Sequence, residues 1–133
     1  MSVVWAATSP ESGSFLPAEQ HTDVEALSDR IGDLRSRGQG YVEVRSPGEE
    51  FPVLTLAFRG DHAVVHLMSD PERTSLLVGD GSAPSGAEVE VLIVDDLAVF
   101  SGDFVLHIDR AWELVHDFTQ TWAAAPLGEW CAL

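Results

Sequence analysis

The residues of this chain best suited to metal binding or proton transfer are its five histidines: His21, His62, His66, His107 and His116. His62 and His66 are four residues apart in the segment HAVVHLM, whose composition predicts a strand. In a strand this spacing separates the two residues by about 13 Å, which is too far for both to bind one metal ion. The sequence therefore predicts no metal site.

A nucleophile beside a base would indicate a hydrolase, and the closest candidate is Ser69, between His66 and Asp70. No G-x-S-x-G motif surrounds a serine, and Asp70 belongs to a predicted turn. The single cysteine, Cys131, lies beside Trp130 in an apolar tail, which predicts a buried, inert thiol. The chain has no lysine and no calcium-loop pattern, so neither a P-loop nor a calcium site is expected. We expect no catalytic residue and no cofactor.

One enzymatic alternative stays open, because catalytic groups assemble in space rather than along the sequence. It is a small metal-independent enzyme that uses His66 or His107 together with a carboxylate. Loss of activity on some substrate in His66→Ala or His107→Ala variants that still fold would favour this alternative.

Length and composition indicate one soluble domain, since the chain has 133 residues of which 45% are hydrophobic. A single cysteine allows no internal disulfide, which fits a reducing compartment. The first residues, MSVVWAATSPESG, lack the basic and apolar regions of a signal peptide. No apolar run is long enough to cross a membrane, so we expect a cytoplasmic protein.

The charge of the chain is strongly negative: 22 acidic residues face seven arginines, for a formal net charge of −15. Residues 60–109 hold ten of the acidic residues and one arginine. Such a surface repels phosphate backbones and anionic headgroups, so we expect neither nucleic acid nor a membrane as a partner. A basic protein is the expected partner, because opposite charges accelerate encounter.

Two helices are predicted from apolar residues repeating at spacings of three and four. The first spans about residues 23–37, with Thr22 and Glu25 as a capping box and Gly38 at its left-handed end. The second begins at Asp109, a favourable N-cap, and runs to Trp122.

Strands dominate the rest of the chain. They are predicted at residues 2–7, 41–44, 53–58, 62–68, 74–79, 88–94, 97–100 and 104–108, with the tail LGEWCAL as a further candidate. Residues 8–20, rich in Ser, Pro and Gly, predict a loop. Consecutive strands joined by short turns indicate an α+β fold, with a mainly antiparallel sheet and two helices packed on one face. The other face would be solvated, which leaves that face or an edge for a partner.

Four segments of the second half carry a resemblance to a known family: HAVVHLM, TSLLVGDG, FVLHIDRAWELVHDFTQTW and LGEWCAL. In type and order these segments, within residues 53–133, resemble the Imm1 immunity proteins of bacterial polymorphic toxin systems. That family is α+β with a characteristic C-terminal tryptophan, and Trp130 would hold that place in the core. The resemblance implies a single immunity-type domain over residues 1–133 that neutralises a cognate toxin without being an enzyme.

Toxins of this kind often act on nucleic acids, as deaminases or nucleases, and an enzyme that grips a polyanion tends to have a basic cleft. The resemblance implies that this acidic chain occupies the cleft of its toxin. The predicted contacts are six acidic residues and one exposed aromatic anchor: Asp80, Glu88, Glu90, Asp95, Asp96, Asp103 and Trp112. Charge reversal at Asp95 and Asp96 is expected to slow association more at low salt than at high salt.

A third hypothesis is an acidic secretion chaperone that holds an extended segment of its client. Such chaperones usually dimerise, so an obligate dimer on size exclusion would favour a chaperone. An immunity protein is expected to be monomeric when free.

Overall fold

The computed structural model describes residues 2–133, which form ten strands and two α-helices. In chain order the elements are β1 (Ser2–Thr8), β2 (Phe15–Asp23), α1 (Val24–Arg37), β3 (Gln39–Arg45), β4 (Val53–Arg59), β5 (His62–Asp70), β6 (Arg73–Leu77), β7 (Glu88–Ile93), β8 (Asp96–Ser101), β9 (Leu106–His107), α2 (Ile108–Thr121) and β10 (Trp130–Ala132). Short 3-10 turns lie at Gly102–Phe104 and Ala125–Leu127.

Eight of these ten strands form one antiparallel sheet, in the order β10-β6-β5-β4-β3-β1-β2, with β9 paired to the start of β5. The consecutive strands β3 to β6 form a meander, because each of their three connections is short enough to return the chain antiparallel. The remaining two strands, β7 and β8, form a separate antiparallel hairpin. The predicted α+β class with a mainly antiparallel sheet is confirmed.

Both helices cover one face of the main sheet, as predicted. Helix α1 lies over β1 and β3, and α2 lies over β4 and β5. Their apolar stripes join the inward side chains of these strands in one buried cluster, which includes Leu27, Ile31, Leu34, Leu114, Val115 and Phe118. The core thus forms between the helix layer and the sheet, where the largest apolar area leaves water.

The prediction that solvent covers the opposite face of the sheet was wrong over much of that face. The hairpin of β7 and β8 packs there and forms a second buried cluster with the sheet, made of Tyr41, Ala57, Val64, Leu76, Ala83, Val89, Val91 and Val105. Val89 and Val91 alternate with exposed glutamates, so the hairpin has one apolar face to bury. The fold therefore has three layers: helices, main sheet and hairpin.

The cap of α1 differs from the predicted one by a residue. Asp23, not Thr22, is the N-cap, and its carboxylate accepts the backbone N–H of Ala26 at 3.0 Å. The Thr22 hydroxyl is engaged elsewhere, because it accepts the Trp5 indole N–H at 2.8 Å. The end of the helix is as predicted: Gly38 has a φ of 98° and donates to the carbonyls of the last turn.

Helix α2 also begins earlier than predicted. His107 is its N-cap, and the Nδ1 atom of that ring accepts the backbone N–H of Asp109 at 3.1 Å. Asp109 instead lies in the first turn, where a negative charge suits the helix dipole, and pairs with Arg35 of α1 at 2.7 Å. Because an aspartate is favourable both as a cap and in the first turn, the sequence does not distinguish the two positions.

The prediction of a loop over residues 8–20 was wrong from Phe15 onward, because those residues belong to β2. Strand β2 is an edge strand whose side chains are almost all exposed, so no apolar alternation marks it. Pro17 is tolerated there because an edge strand has one row of N–H groups without a ladder partner. The true turn is short, and the Ser9 N–H donates to the Ser14 carbonyl at 2.8 Å to close it.

Candidate functional site

The β7–β8 hairpin presents two different faces. Its inner face, which includes Val89, Val91 and Phe100, packs against the main sheet. Its outer face carries Glu88 and Glu90 on β7. On β8, Val99 lies directly across from Glu90 and is 56% exposed, and Leu97 is 45% exposed. The outer face therefore combines carboxylates with exposed apolar side chains.

The tip of the hairpin is a two-residue turn formed by Val94 and Asp95. Val94 has a φ of 59°, which is an outlier for a β-branched residue. The Asp95 carboxylate accepts the backbone N–H of Phe15 at 2.7 Å, and the Phe15 ring packs edge-on against Tyr41. Asp95 thus holds the tip against the start of β2, whereas Asp96 beside it is exposed and belongs to β8.

The base of the hairpin is tied to the main sheet through the loops around it. The Gly79 N–H donates to the Asp103 carbonyl at 2.7 Å, and the Gly102 N–H donates to the Ala87 carbonyl at 3.0 Å. A Cβ atom at Gly102 would lie 1.9 Å from the Pro84 carbonyl oxygen, so only glycine fits there. These contacts fix the base of the hairpin, as the bond between Asp95 and Phe15 fixes its tip.

Asp80 has a structural role within its own chain. Its carboxylate accepts the backbone N–H of Ser82 at 2.9 Å and that of His107 at 3.1 Å. Burial opposes ionisation of Asp80, but these hydrogen bonds outweigh burial and lower its pKa. Asp103 is exposed, and its carboxylate accepts the Ser101 hydroxyl at 3.2 Å. Both residues are exposed, but only the Asp80 carboxylate accepts backbone N–H groups from two separate segments.

Trp112 and Trp130 lie on the helix side of the main sheet, away from the hairpin. Trp112 is half-buried on α2, packs against the helix-side core, and is on the opposite side of the main sheet from the acidic residues. Trp130 is also half-buried against that core, and its indole N–H donates to the Ala124 carbonyl at 3.0 Å. Cys131 is exposed, because it lies on the short edge strand β10, so the prediction of a buried thiol was wrong.

A cleft of about 420 Å³ opens on the hairpin side of the main sheet, in a region that the hairpin does not cover. Three carboxylates and one guanidinium line it, those of Glu19, Glu43, Glu50 and Arg45. Arg45 donates to both carboxylate oxygens of Glu19, at 2.7 and 2.9 Å, and these bonds lower the pKa of Glu19 despite its partial desolvation. Glu43 and Glu50 leave the cleft electronegative.

A smaller cavity of about 120 Å³ adjoins the cleft at Met68, which lines both. A row of polar residues crosses the sheet here: Glu43 pairs with Thr55, and Thr55 pairs with His66. The Tyr41 hydroxyl donates to Glu43 at 2.7 Å; burial and then this carboxylate raise the pKa of Tyr41 well above its ordinary value. Burial lowers the pKa of His66, because it disfavours the charged form of the ring.

Thr55 stands out in this row, because its buried hydroxyl makes no hydrogen bond in the described part of the chain. The hydroxyl lies near that of Tyr41 and weakly opposes the rise in the tyrosine's pKa, but it does not reach hydrogen-bonding geometry. A buried polar group without a partner is uncommon and costly.

The histidines do not assemble into a metal site. Within residues 2–133 no group of three or more His, Cys, Asp or Glu side chains is placed to hold a metal ion. His66 packs edge-on against Phe100 at a ring distance of 5.5 Å, and His107 is occupied as the cap of α2. His116 likewise packs against Trp112.

Several residues of this surface were missed at the level of sequence. Glu19, Glu43 and Glu50 come from three separate segments, and only the sheet register brings them to one cleft. Leu97, Ala98, Val99 and Phe100 are all apolar, so no alternation in the sequence distinguishes the exposed face of β8 from its packed face.

Comparison with known proteins adds no relative: the chain matches no protein-family model, and no curated protein matches it. Neither α-helix in the described residues is long and apolar enough to cross a membrane.

Proposed function

We propose that this chain is a cytoplasmic immunity protein that binds a cognate bacterial toxin and occludes the toxin's active site with its acidic surface. The observation that carries the proposal is the outer face of the hairpin. There Leu97 and Val99 are exposed beside Glu88 and Glu90, and Asp96 is exposed at the start of β8. Apolar anchors surrounded by like charges are what a specific, electrostatically accelerated protein interface requires.

The charge distribution indicates what the partner would be. Residues 60–109 carry ten acidic residues and one arginine, and the neighbouring cleft adds Glu43 and Glu50. This surface complements a basic cleft, such as one that binds nucleic acid in a deaminase or nuclease. Occupying that cleft would stop the enzyme without any chemistry by this chain.

The structure changes which acidic residues a test should replace. Asp95 holds Phe15, so its charge reversal would disturb the fold as well as binding. Glu88, Glu90 and Asp96 are exposed and make no ion pair within the described residues, so their replacement tests charge alone.

The first experiment is co-expression with the toxin-like product of a neighbouring gene. Growth in the presence of this chain, and arrest without it, is the expected result. The purified pair should then associate at a rate that falls steeply with salt. Arrest despite high levels of this chain would contradict the proposal.

The second experiment localises the charge effect. The triple variant Glu88→Lys, Glu90→Lys, Asp96→Lys should slow association about tenfold at low ionic strength and much less at high ionic strength. Its control is the triple variant Asp29→Lys, Asp33→Lys, Asp117→Lys, which makes the same charge change at exposed positions of the two helices. Equal slowing by both triple variants would show that the hairpin is not the contact surface.

A small metal-independent enzyme remains the second candidate, favoured by the row of Glu43, Thr55 and His66 beside a cleft. The immunity protein and the enzyme differ in the effect expected of His66→Ala on the rescue of growth. An immunity protein should still rescue growth with this variant, whereas an enzyme that depends on His66 should not.

A further inference from the structure

The register of the hairpin determines which backbone groups of β8 point away from β7. A two-residue turn joins Ile93 to Asp96, so these two residues form a hydrogen-bonded pair. Hydrogen-bonded and non-hydrogen-bonded pairs then alternate along an antiparallel ladder. Leu97 and Val99 therefore direct their N–H and C=O groups toward the open edge of β8. Among residues 2–133 neither has a backbone hydrogen bond outside the hairpin.

The same two residues also expose their side chains, Leu97 by 45% and Val99 by 56%. One short segment thus offers unpaired backbone donors and acceptors together with apolar side chains. Packing against the main sheet is carried mostly by β7, which contacts β3, β4 and β5. The far side of β8 consequently remains open along the strand.

The two edges of the main sheet are protected in ways that β8 is not. Strand β2, at one end of the main sheet, contains Pro17 and mostly polar residues. Strand β10, at the other end, has only three residues. Proteins usually block an edge with proline, charged side chains, a bulge or short length, and β8 has six residues whose only charged side chain is Asp96 at its start.

The charges around β8 indicate which kind of strand could pair with its open edge. Asp96 begins β8 and Asp103 follows its end, and no arginine or lysine occurs between Arg73 and Arg110. A second copy of the chain would bring the same carboxylates together, on molecules that each carry −15. An extended segment with lysine or arginine near its ends would instead meet opposite charges.

We propose that the open edge of β8 is a strand-addition site for an extended basic segment of the partner protein. The segment pairs its backbone with Leu97 and Val99 and places basic side chains near Asp96 and Asp103. Main-chain hydrogen bonds provide attachment in this mode, and alternate side chains provide selectivity. The identity of the partner rests on the proposed function, whereas the site itself rests on the register and exposure of β8.

A peptide probe tests the site without any toxin. The probe is acetyl-Arg-Thr-Val-Thr-Val-Thr-Arg-amide, and its control is the same peptide with every valine and threonine amide N-methylated. Both carry the same charges, but the control has lost the five central backbone donors and keeps only those of its two arginines and its C-terminal amide. The readout is amide hydrogen exchange and chemical shift in the ¹⁵N-labelled chain.

The expected result is that the first peptide slows exchange at Leu97 and Val99 by at least about fivefold, and that the methylated peptide does not. Equal effects of the two peptides would overturn the proposal, because charge alone would then explain binding. Protection at Leu16 of β2 in place of β8 would also overturn it. Concentration-dependent dimerisation with protection of β8 in the absence of peptide would assign the edge to a second copy instead.

Two variants extend the test to the whole protein. Val99→Pro removes an N–H group that the hairpin does not use, and Val99→Ala keeps that group while shortening the side chain. In the growth assay, the amount of Val99→Pro needed to restore growth should be more than about tenfold higher than the amount of Val99→Ala. Full rescue by Val99→Pro would refute strand addition while leaving the immunity function intact. Peptide pairing at β8 without any rescue by the native chain would refute the immunity function alone.

Discussion

The Thr55 hydroxyl is the most unusual single group in this structure. It is buried in the strand row between Glu43 and His66, and it lacks a hydrogen-bond partner. An isolated buried hydroxyl loses its hydration without compensation, at a cost of about 1–3 kcal/mol. This position should therefore tolerate a nonpolar residue of the same shape.

We expect Thr55→Val to raise the free energy of unfolding by about 1 kcal/mol, measured by urea denaturation. The matched control is Thr119→Val, at an equally buried position where the hydroxyl donates to the His116 carbonyl at 2.6 Å. That replacement removes a formed hydrogen bond and should lower stability by about 1 kcal/mol. A loss of stability in Thr55→Val equal to that of the control would mean that the Thr55 hydroxyl is satisfied in solution.

Other residues of the surface differ in how free they are to contact a partner. The carboxylates of Asp80 and Asp95 accept hydrogen bonds from backbone N–H groups of their own chain. Glu88, Glu90 and Asp96 remain exposed. The predicted set of acidic residues therefore divides into residues that hold the fold and residues that can bind.

At the scale of elements, the hairpin depends on a turn whose first residue is poorly suited to it. Of the two central residues only Val94 has a positive φ, at 59°, and that pattern favours glycine at the first position. A β-branched side chain in this region costs on the order of 1–3 kcal/mol.

We expect Val94→Gly to stabilise the hairpin by about 1 kcal/mol, since the strain exceeds the added flexibility of the unfolded chain. Its control is Val99→Gly, the same change at a regular strand position of the same hairpin, which should destabilise by about 0.5–1 kcal/mol. Amide exchange within β7 and β8 provides the measurement. Faster exchange in both variants would argue against strain at Val94.

For the whole molecule, the dominant property is the net charge of −15. Four arginine–carboxylate pairs are formed among the described residues, mostly at the surface, and such pairs contribute little. Self-repulsion among the remaining carboxylates should therefore oppose folding at low salt.

We expect the Tm to rise by about 4 °C between about 10 mM and about 150 mM NaCl, as the screening length shortens from about 30 Å to about 8 Å. The hairpin and helix triple variants described above each carry −9 in place of −15, and both should show a smaller rise. A Tm that falls with added salt would show that attractive pairs such as Arg35–Asp109 outweigh the repulsion.

Local patterns alone determined the two helices, the strands from residue 53 to residue 70, the α+β class and the location of the negative charge. Each of these depends on neighbouring residues, because apolar periodicity and turn residues act within one element. The same patterns misplaced β2, because an exposed edge strand has no apolar alternation.

Only the tertiary structure decided which acidic residues are free and where a partner could bind. Asp95 and Phe15 are 80 residues apart in sequence, and Glu43, Thr55 and His66 come from three strands. The open edge of β8 likewise follows from the packing of β7, not from any feature of β8 alone. Such contacts are set by sheet register and layer packing, which depend on the whole chain and leave no mark in a local stretch of sequence.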